Sequence, residues 1–109
     1  MDIDSQFLKG SVGLLLLNLL SRGEMYGHEI LQESSRRSGN TFAFKEGTLY
    51  PALHQLEKKG QIKSRWRTAE NGRERKYYSL TPKGRKAATE YEKQWHELTG
   101  AIMSILGSK

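Results

Sequence analysis

The sequence predicts a mainly α fold with a two-stranded β-hairpin and one long carboxy-terminal helix. Three observations carry that reading. Apolar residues recur at helical spacing through the first sixty residues, the period drops to two on either side of Asn71-Gly72, and a heptad stripe runs from Gly84 to Ile105. At 109 residues the chain is one domain of common size, or a small domain plus one long helix. Apolar residues make up 36%, a modest share for so small a core, which a helix buried against a second copy would enlarge.

A first helix is predicted over about 5–21. Phe7, Leu8, Val12, Leu15, Leu16, Leu19 and Leu20 form a broad apolar face, and Leu14 and Leu17 widen it almost to a belt. A helix apolar nearly all round is buried on several sides, which here implies cover from another subunit. Gly23 stops it, with Glu24-Met25 as the connection. The second helix spans about 26–38, with Ile30, Leu31 and Tyr26 inward and Glu29, Gln32, Glu33, Arg36 and Arg37 outward. Arg36 and Arg37 fall in the last turn, where cations suit the helix dipole. Gly39 is the expected cap, and Phe42 and Phe44 follow in a loop placed to seat under the next helix.

The third helix is built from Leu49, Ala52, Leu53 and Leu56 at i, i+3, i+4 and i+7 spacing. Its other face carries Thr48, Tyr50, His54, Gln55 and Lys58, hydrogen-bonding and cationic groups that suit the major groove of DNA. Pro51 belongs in a first turn, so either the regular helix begins near Thr48 or a tighter turn precedes it. Gly60 supplies a left-handed stop.

Residues 62–68 then alternate, with Ile62, Ser64, Trp66 and Thr68 on a half-buried face and Lys63, Arg65 and Arg67 outside. A second strand, 75–80, follows the Asn-Gly turn. The hairpin's tip and flanks hold Arg65, Arg67, Arg73, Arg75 and Lys76 against Glu70 and Glu74. Thr81 as N-cap and Pro82 at the first helical position open the last helix. Along it Gly84, Ala88, Tyr91, Trp95, Leu98, Ile102 and Ile105 form a seam that needs a partner helix, with helix one of the same or another copy the obvious choice. This order is that of a winged helix-turn-helix, with helix three entering the major groove and the hairpin reaching the flanking backbone or minor groove. The predicted division is a DNA-binding unit over 1–80, whose first helix is shared with the dimer contact, and a dimerisation helix over 81–109.

The net charge is +6 with a pI near 9.7, and it is concentrated. Residues 45–80 hold nine basic against four acidic residues, while residues 1–44 hold four against five. A basic middle third favours a polyanionic partner. The absence of cysteine excludes disulfides, thiolate metal sites and cysteine nucleophiles. The acidic start lacks the basic region of a signal peptide, and the run 12–20 is too short to span a bilayer, so a cytoplasmic protein is expected. His28, His54 and His96 fall on separate elements without metal-ligand spacing, and no glycine-rich phosphate loop follows a strand. Neither an enzyme nor a metal or cofactor site is expected. The alternative to DNA binding is a winged helix that only docks proteins, for which the basic middle third is not required.

Four stretches resemble the PadR family of bacterial transcriptional regulators: the leucine-rich first helix, Tyr26-Gly27-His28-Glu29-Ile30, residues 47–57 (beginning Gly47-Thr48-Leu49-Tyr50-Pro51), and residues 75–84 (beginning Arg75-Lys76-Tyr77-Tyr78). They occur in family order across nearly the whole chain, and the single helix after the wing resembles the small subfamily. The resemblance implies a homodimeric repressor that binds an inverted repeat in double-stranded DNA and is released by a small molecule. By position, Tyr26, Gly27, Lys45, Thr48, Tyr50, His54, Arg73, Arg75 and Lys76 would face DNA. Phe7, Leu8, Leu15, Tyr91, Trp95, Leu98, Ile102 and Ile105 would form the dimer contact. Trp95 matches the place where some small members bind apolar, drug-like compounds between subunits. It also reads as plain seam core. Two departures stand out. Lys45-Glu46 replaces the proline or Ser-Pro that often precedes Gly-Thr-Leu-Tyr, and Glu46 would repel phosphates unless it caps the helix. Arg73-Glu74 replaces Gly-Pro-Pro at the wing, which implies a more flexible tip.

Overall fold

Leucines at 16, 17 and 20 leave almost no surface to water, and the other elements are arranged around them. The structure is a computed structural model that describes residues 10–107. Helix α1 is Val12–Leu20, followed by strand β1, Met25–Tyr26, and helix α2, Gly27–Arg37. Helix α3 is Glu46–Lys58, strands β2 and β3 are Ile62–Thr68 and Glu74–Leu80, and helix α4 is Pro82–Leu106. The expected positions Phe7 and Leu8, and the start of the predicted first helix, lie outside the described residues.

Helix α1 packs on α2, α3, α4 and β3. Val12, Leu16, Leu17, Leu19 and Leu20 are buried with Ile30, Leu49, Leu53, Leu56, Ile62, Tyr78, Leu80 and Ala88. Most of the apolar belt is thus covered by the chain itself, and only Leu14 and Leu15 stay half-exposed along α1 with Gly13 and Asn18. The cover expected from another subunit thus comes largely from α2, α3, β3 and the start of α4, while Leu15, expected in the dimer contact, is left half-exposed.

The wing is three-stranded, not two-stranded. β1 pairs antiparallel with β3 through Met25↔Tyr78 and Tyr26↔Tyr77, giving the order β1-β3-β2. Two residues are too few to show a period of two, so this strand leaves no alternation in the sequence. Directly after it the Tyr26 N–H donates to the Glu29 carboxylate at 3.1 Å, closing the first turn of α2. At the other end Arg36 and Arg37 both bind Glu33 at 2.8 Å. Hydrogen bonds from Arg36 and then Arg37 lower the Glu33 pKa to about 2.

Helix α3 begins at Glu46, two residues before Thr48, which settles the two readings of Pro51. The N–H groups of Thr48 and Leu49 both donate to the Lys45 carbonyl at 3.0 Å, so the first turn is tight and Pro51 lies inside regular helix. A proline there forfeits the bond to the carbonyl four residues back, that of Gly47. Gly47 is exposed, so water can satisfy that carbonyl. Gly60, at φ +74°, ends the turn after α3 in the left-handed region.

The hairpin register runs from Ile62↔Leu80 to Thr68↔Glu74. At its tip the Ala69 N–H donates to the Arg73 carbonyl at 2.7 Å, and Gly72 takes φ +82°. The half-buried face predicted for β2 holds only near the domain. Ile62 is buried and Ser64 half-buried, where its hydroxyl donates to Glu57 at 2.7 Å, but Trp66 is 67% exposed and Thr68 is exposed. The outer half of the hairpin has outrun the helices that could cover it.

Thr81 caps α4 by accepting the Gly84 N–H at 3.0 Å, and its own hydroxyl donates to the Gly60 carbonyl at 2.6 Å. Gly84 and Ala88 are buried, and Tyr91 is half-buried against the core. Beyond Tyr91 the helix leaves the domain. Trp95 is 41% and Ile105 76% exposed, with Leu98, Ile102, Met103 and Leu106 also exposed.

Candidate nucleic-acid interface

Tyr26, Gly27, Tyr50, Arg73, Arg75 and Lys76, which lie on three separate stretches of chain, line one cleft of about 680 Å³. Its walls are the start of α2, the first turns of α3 and the wing, and it is completed by His28, Glu46, Trp66, Glu74 and Tyr78. The first helical turns are brought together by Gly27. A Cβ built there would collide with the Tyr50 hydroxyl, so only glycine lets the Tyr50 ring lie against α2. Gly27 is buried, and its part in the site is the room it gives Tyr50, itself 44% exposed. Lys45, Thr48 and His54 are exposed on and before α3 but do not line the cleft.

The wing cations are held by rings. The Arg75 guanidinium lies 4.5 Å from the Tyr26 ring centroid, and Tyr26 meets Tyr77 edge-on at 5.3 Å. The Arg67 guanidinium lies over the Tyr77 ring at 3.9 Å, and Lys76 Nζ stands 5.7 Å from the Tyr78 ring. Such contacts orient a cation while leaving it able to donate hydrogen bonds elsewhere. The Arg75 Nε atom is buried and has no hydrogen-bond partner. Burial, together with the nearby Glu57 and Tyr50, pushes the Tyr78 hydroxyl up from its ordinary pKa.

Not every wing cation is free. Arg65 and Arg67 both bind Glu24, at 2.9 and 2.5 Å, tying β2 to the segment before β1. The hydrogen bond from Arg65 lowers the Glu24 pKa, and the charges of Arg65 and Arg67 add to the shift against burial. A lowered folded-state value means the pair stabilises fully above the ordinary 4.5 and that this is lost as pH falls through the folded value. The Tm advantage of the parent chain over Glu24→Gln should accordingly shrink as pH falls below the ordinary 4.5; calorimetry from neutral into acid pH checks it, and a constant difference counts against the pairing.

Glu46 stands at the first position of α3, where its charge suits the helix dipole, and lines the cleft. It opposes the cations of the wing across the same space. Trp66 and Glu74 are cleft residues the sequence reading left out. The alternation put Trp66 on a covered face, and nothing short of the hairpin's length relative to the helices would have exposed it.

The description "Transcriptional regulator PadR-like family" matches residues 16–90. The chain belongs to the PadR family. It is a transcriptional regulator of that family with its winged-helix fold. A transcriptional regulator of Mycobacterium tuberculosis is 36% identical over 98 residues, covering 90% of this chain and 88% of the relative. A transcriptional regulator from Clostridium thermocellum superposes with a TM-score of 0.81 at 36% identity, over 94% of this chain and 95% of that one. A PadR-like regulator from Bacillus cereus gives 0.84 at 30% identity, over 95% and 99%. Among the described residues no helix is long and apolar enough to cross a membrane.

Proposed function

We propose that this PadR regulator is a cytoplasmic, homodimeric repressor that binds an inverted repeat in double-stranded DNA. The observation that carries this reading is the cleft that gathers Arg73, Arg75 and Lys76 beside Tyr50 at the start of α3. On it, Thr48, Tyr50 and His54 meet base edges and phosphates in the major groove, while the wing cations neutralise flanking phosphates. Residues 1–80 form the reading unit and 81–109 the dimerisation helix. The exposed seam Trp95, Leu98, Ile102 and Ile105 supports the pairing of two chains, because a heptad stripe left in water has no other reason to be apolar. Two α3 helices would then enter successive major grooves about one turn (~34 Å) apart.

Fluorescence anisotropy on the region upstream of the gene, at physiological salt, tests the reading against a protein-docking module. Tight binding to that region over unrelated duplex is expected, and equal, weak binding to both contradicts it.

An apolar small molecule seated between subunits near Trp95 would change the spacing of the two heads and lower affinity by misfit. With Trp66→Phe, Trp95 is the only tryptophan left. A planar aromatic compound at micromolar levels is expected to quench its emission; unchanged emission across a panel of such compounds removes the pocket from the account.

A further inference from the structure

We infer that Trp66 is itself a DNA contact, its indole lying on the sugar edge of the minor groove that flanks the α3 site. The inference rests on the DNA-binding reading and adds a residue outside the helix and the cationic positions. Outside α4, the exposed large hydrophobic side chains among the described residues are Tyr50 and Trp66, and both line the same cleft. Two exposed aromatic rings in one cleft give it an apolar lining beside its cations, with the indole two-thirds in water.

Its surroundings select the occupant. In the register Trp66 faces Lys76 across the hairpin, and Arg73 and Arg75 share its cleft. A flat apolar ring set among cations matches the flank of a duplex, where phosphates meet the cations and deoxyribose C–H groups meet the ring. The indole N–H remains free to donate to a phosphate or base acceptor. A second copy of the chain is the weaker fit, because the apolar seam is carried by α4 and the wing's charges would repel their equals.

A neutral ring adds affinity without neutralising a phosphate. Its removal should weaken binding while leaving the salt dependence alone, in contrast to loss of Lys76 or Arg75. The chain, labelled with 5-fluorotryptophan, gives two fluorine resonances, one for each tryptophan. Trp66→Phe assigns them. The probe is a duplex of about 40 base pairs from the upstream region, long enough for two successive grooves, and anisotropy of the labelled duplex reports binding independently. At saturation the Trp66 resonance should move and lose its H2O–D2O solvent shift. Trp66→Ala should bind about tenfold more weakly with an unchanged log–log salt slope and an unchanged Tm.

A bound duplex with Trp66 still fully solvent-shifted overturns the inference and leaves the DNA-binding reading standing. So does a solvent shift already absent in the free protein, which would mean that protein covers the ring. A duplex that does not bind at all removes both.

Discussion

Replacing Arg75 with alanine should weaken binding to operator and random duplex alike, by about tenfold at physiological salt, and should flatten the log–log salt slope by roughly 1.8, about 0.9 for each subunit of the dimer. Arg75 is half-buried with its guanidinium over the Tyr26 ring, so it is oriented before DNA arrives and less side-chain freedom remains to be lost. A phosphate contact carries no sequence information, hence the uniform loss. Thr48 is the contrasting position. It is exposed in the first turn of α3, where side chains reach base edges. Thr48→Ala should change the ratio of operator to random binding, since a lost base contact is worth about 1–3 kcal/mol of discrimination. If both variants lose affinity equally on both duplexes, α3 is not what reads the sequence.

The largest effect on folding is expected at Gly84. A Cβ there would collide with the carbonyl oxygen of Gln61, and the Leu80 side chain is also close. That oxygen belongs to the backbone and accepts the Thr81 N–H at 3.1 Å, so it cannot swing aside as a side-chain end would. Gly84→Ala should therefore destabilise by about 1–3 kcal/mol, although alanine gains about 1 kcal/mol in helix propensity. Gly100, further along the same helix, is the control. Nothing lies within 4 Å of a Cβ built there, so Gly100→Ala should stabilise by up to about 1 kcal/mol. Urea unfolding of the two variants checks both signs, and two stabilising alanines would contradict the packing of α4 on the turn before β2.

What could be read from residues alone was whatever recurs with a period or carries a fixed backbone demand. The alternation after Gly60, the Asn71-Gly72 turn and the Thr81-Pro82 start each appear where expected, because each is set by local chemistry. The missing pieces are long-range. β1 is a strand only because β3 lies beside it, and Trp66 is exposed only because β2 extends past the helices. The ion pairs of Glu24 with Arg65 and Arg67 join residues some forty positions apart, which no spacing rule connects. Pro51 left two readings open for a different reason. Its cost depends on whether the freed carbonyl is wet, and Gly47's exposure is decided by the fold.

The site shows the same division. Of the nine residues expected to face DNA, six line the cleft, while Lys45, Thr48 and His54 lie outside it. The geometry added what each one does: Gly27 makes room for Tyr50, Tyr26 props Arg75, and Glu46 opposes the wing across the cleft.

The most direct test is a hydroxyl-radical footprint of the dimer-sized species on the region upstream of the gene. Two protected patches on one face of the duplex, centred one helical turn (~34 Å) apart, are the result expected from paired α3 helices. A single isolated patch, or protection spread evenly along the duplex, would contradict it.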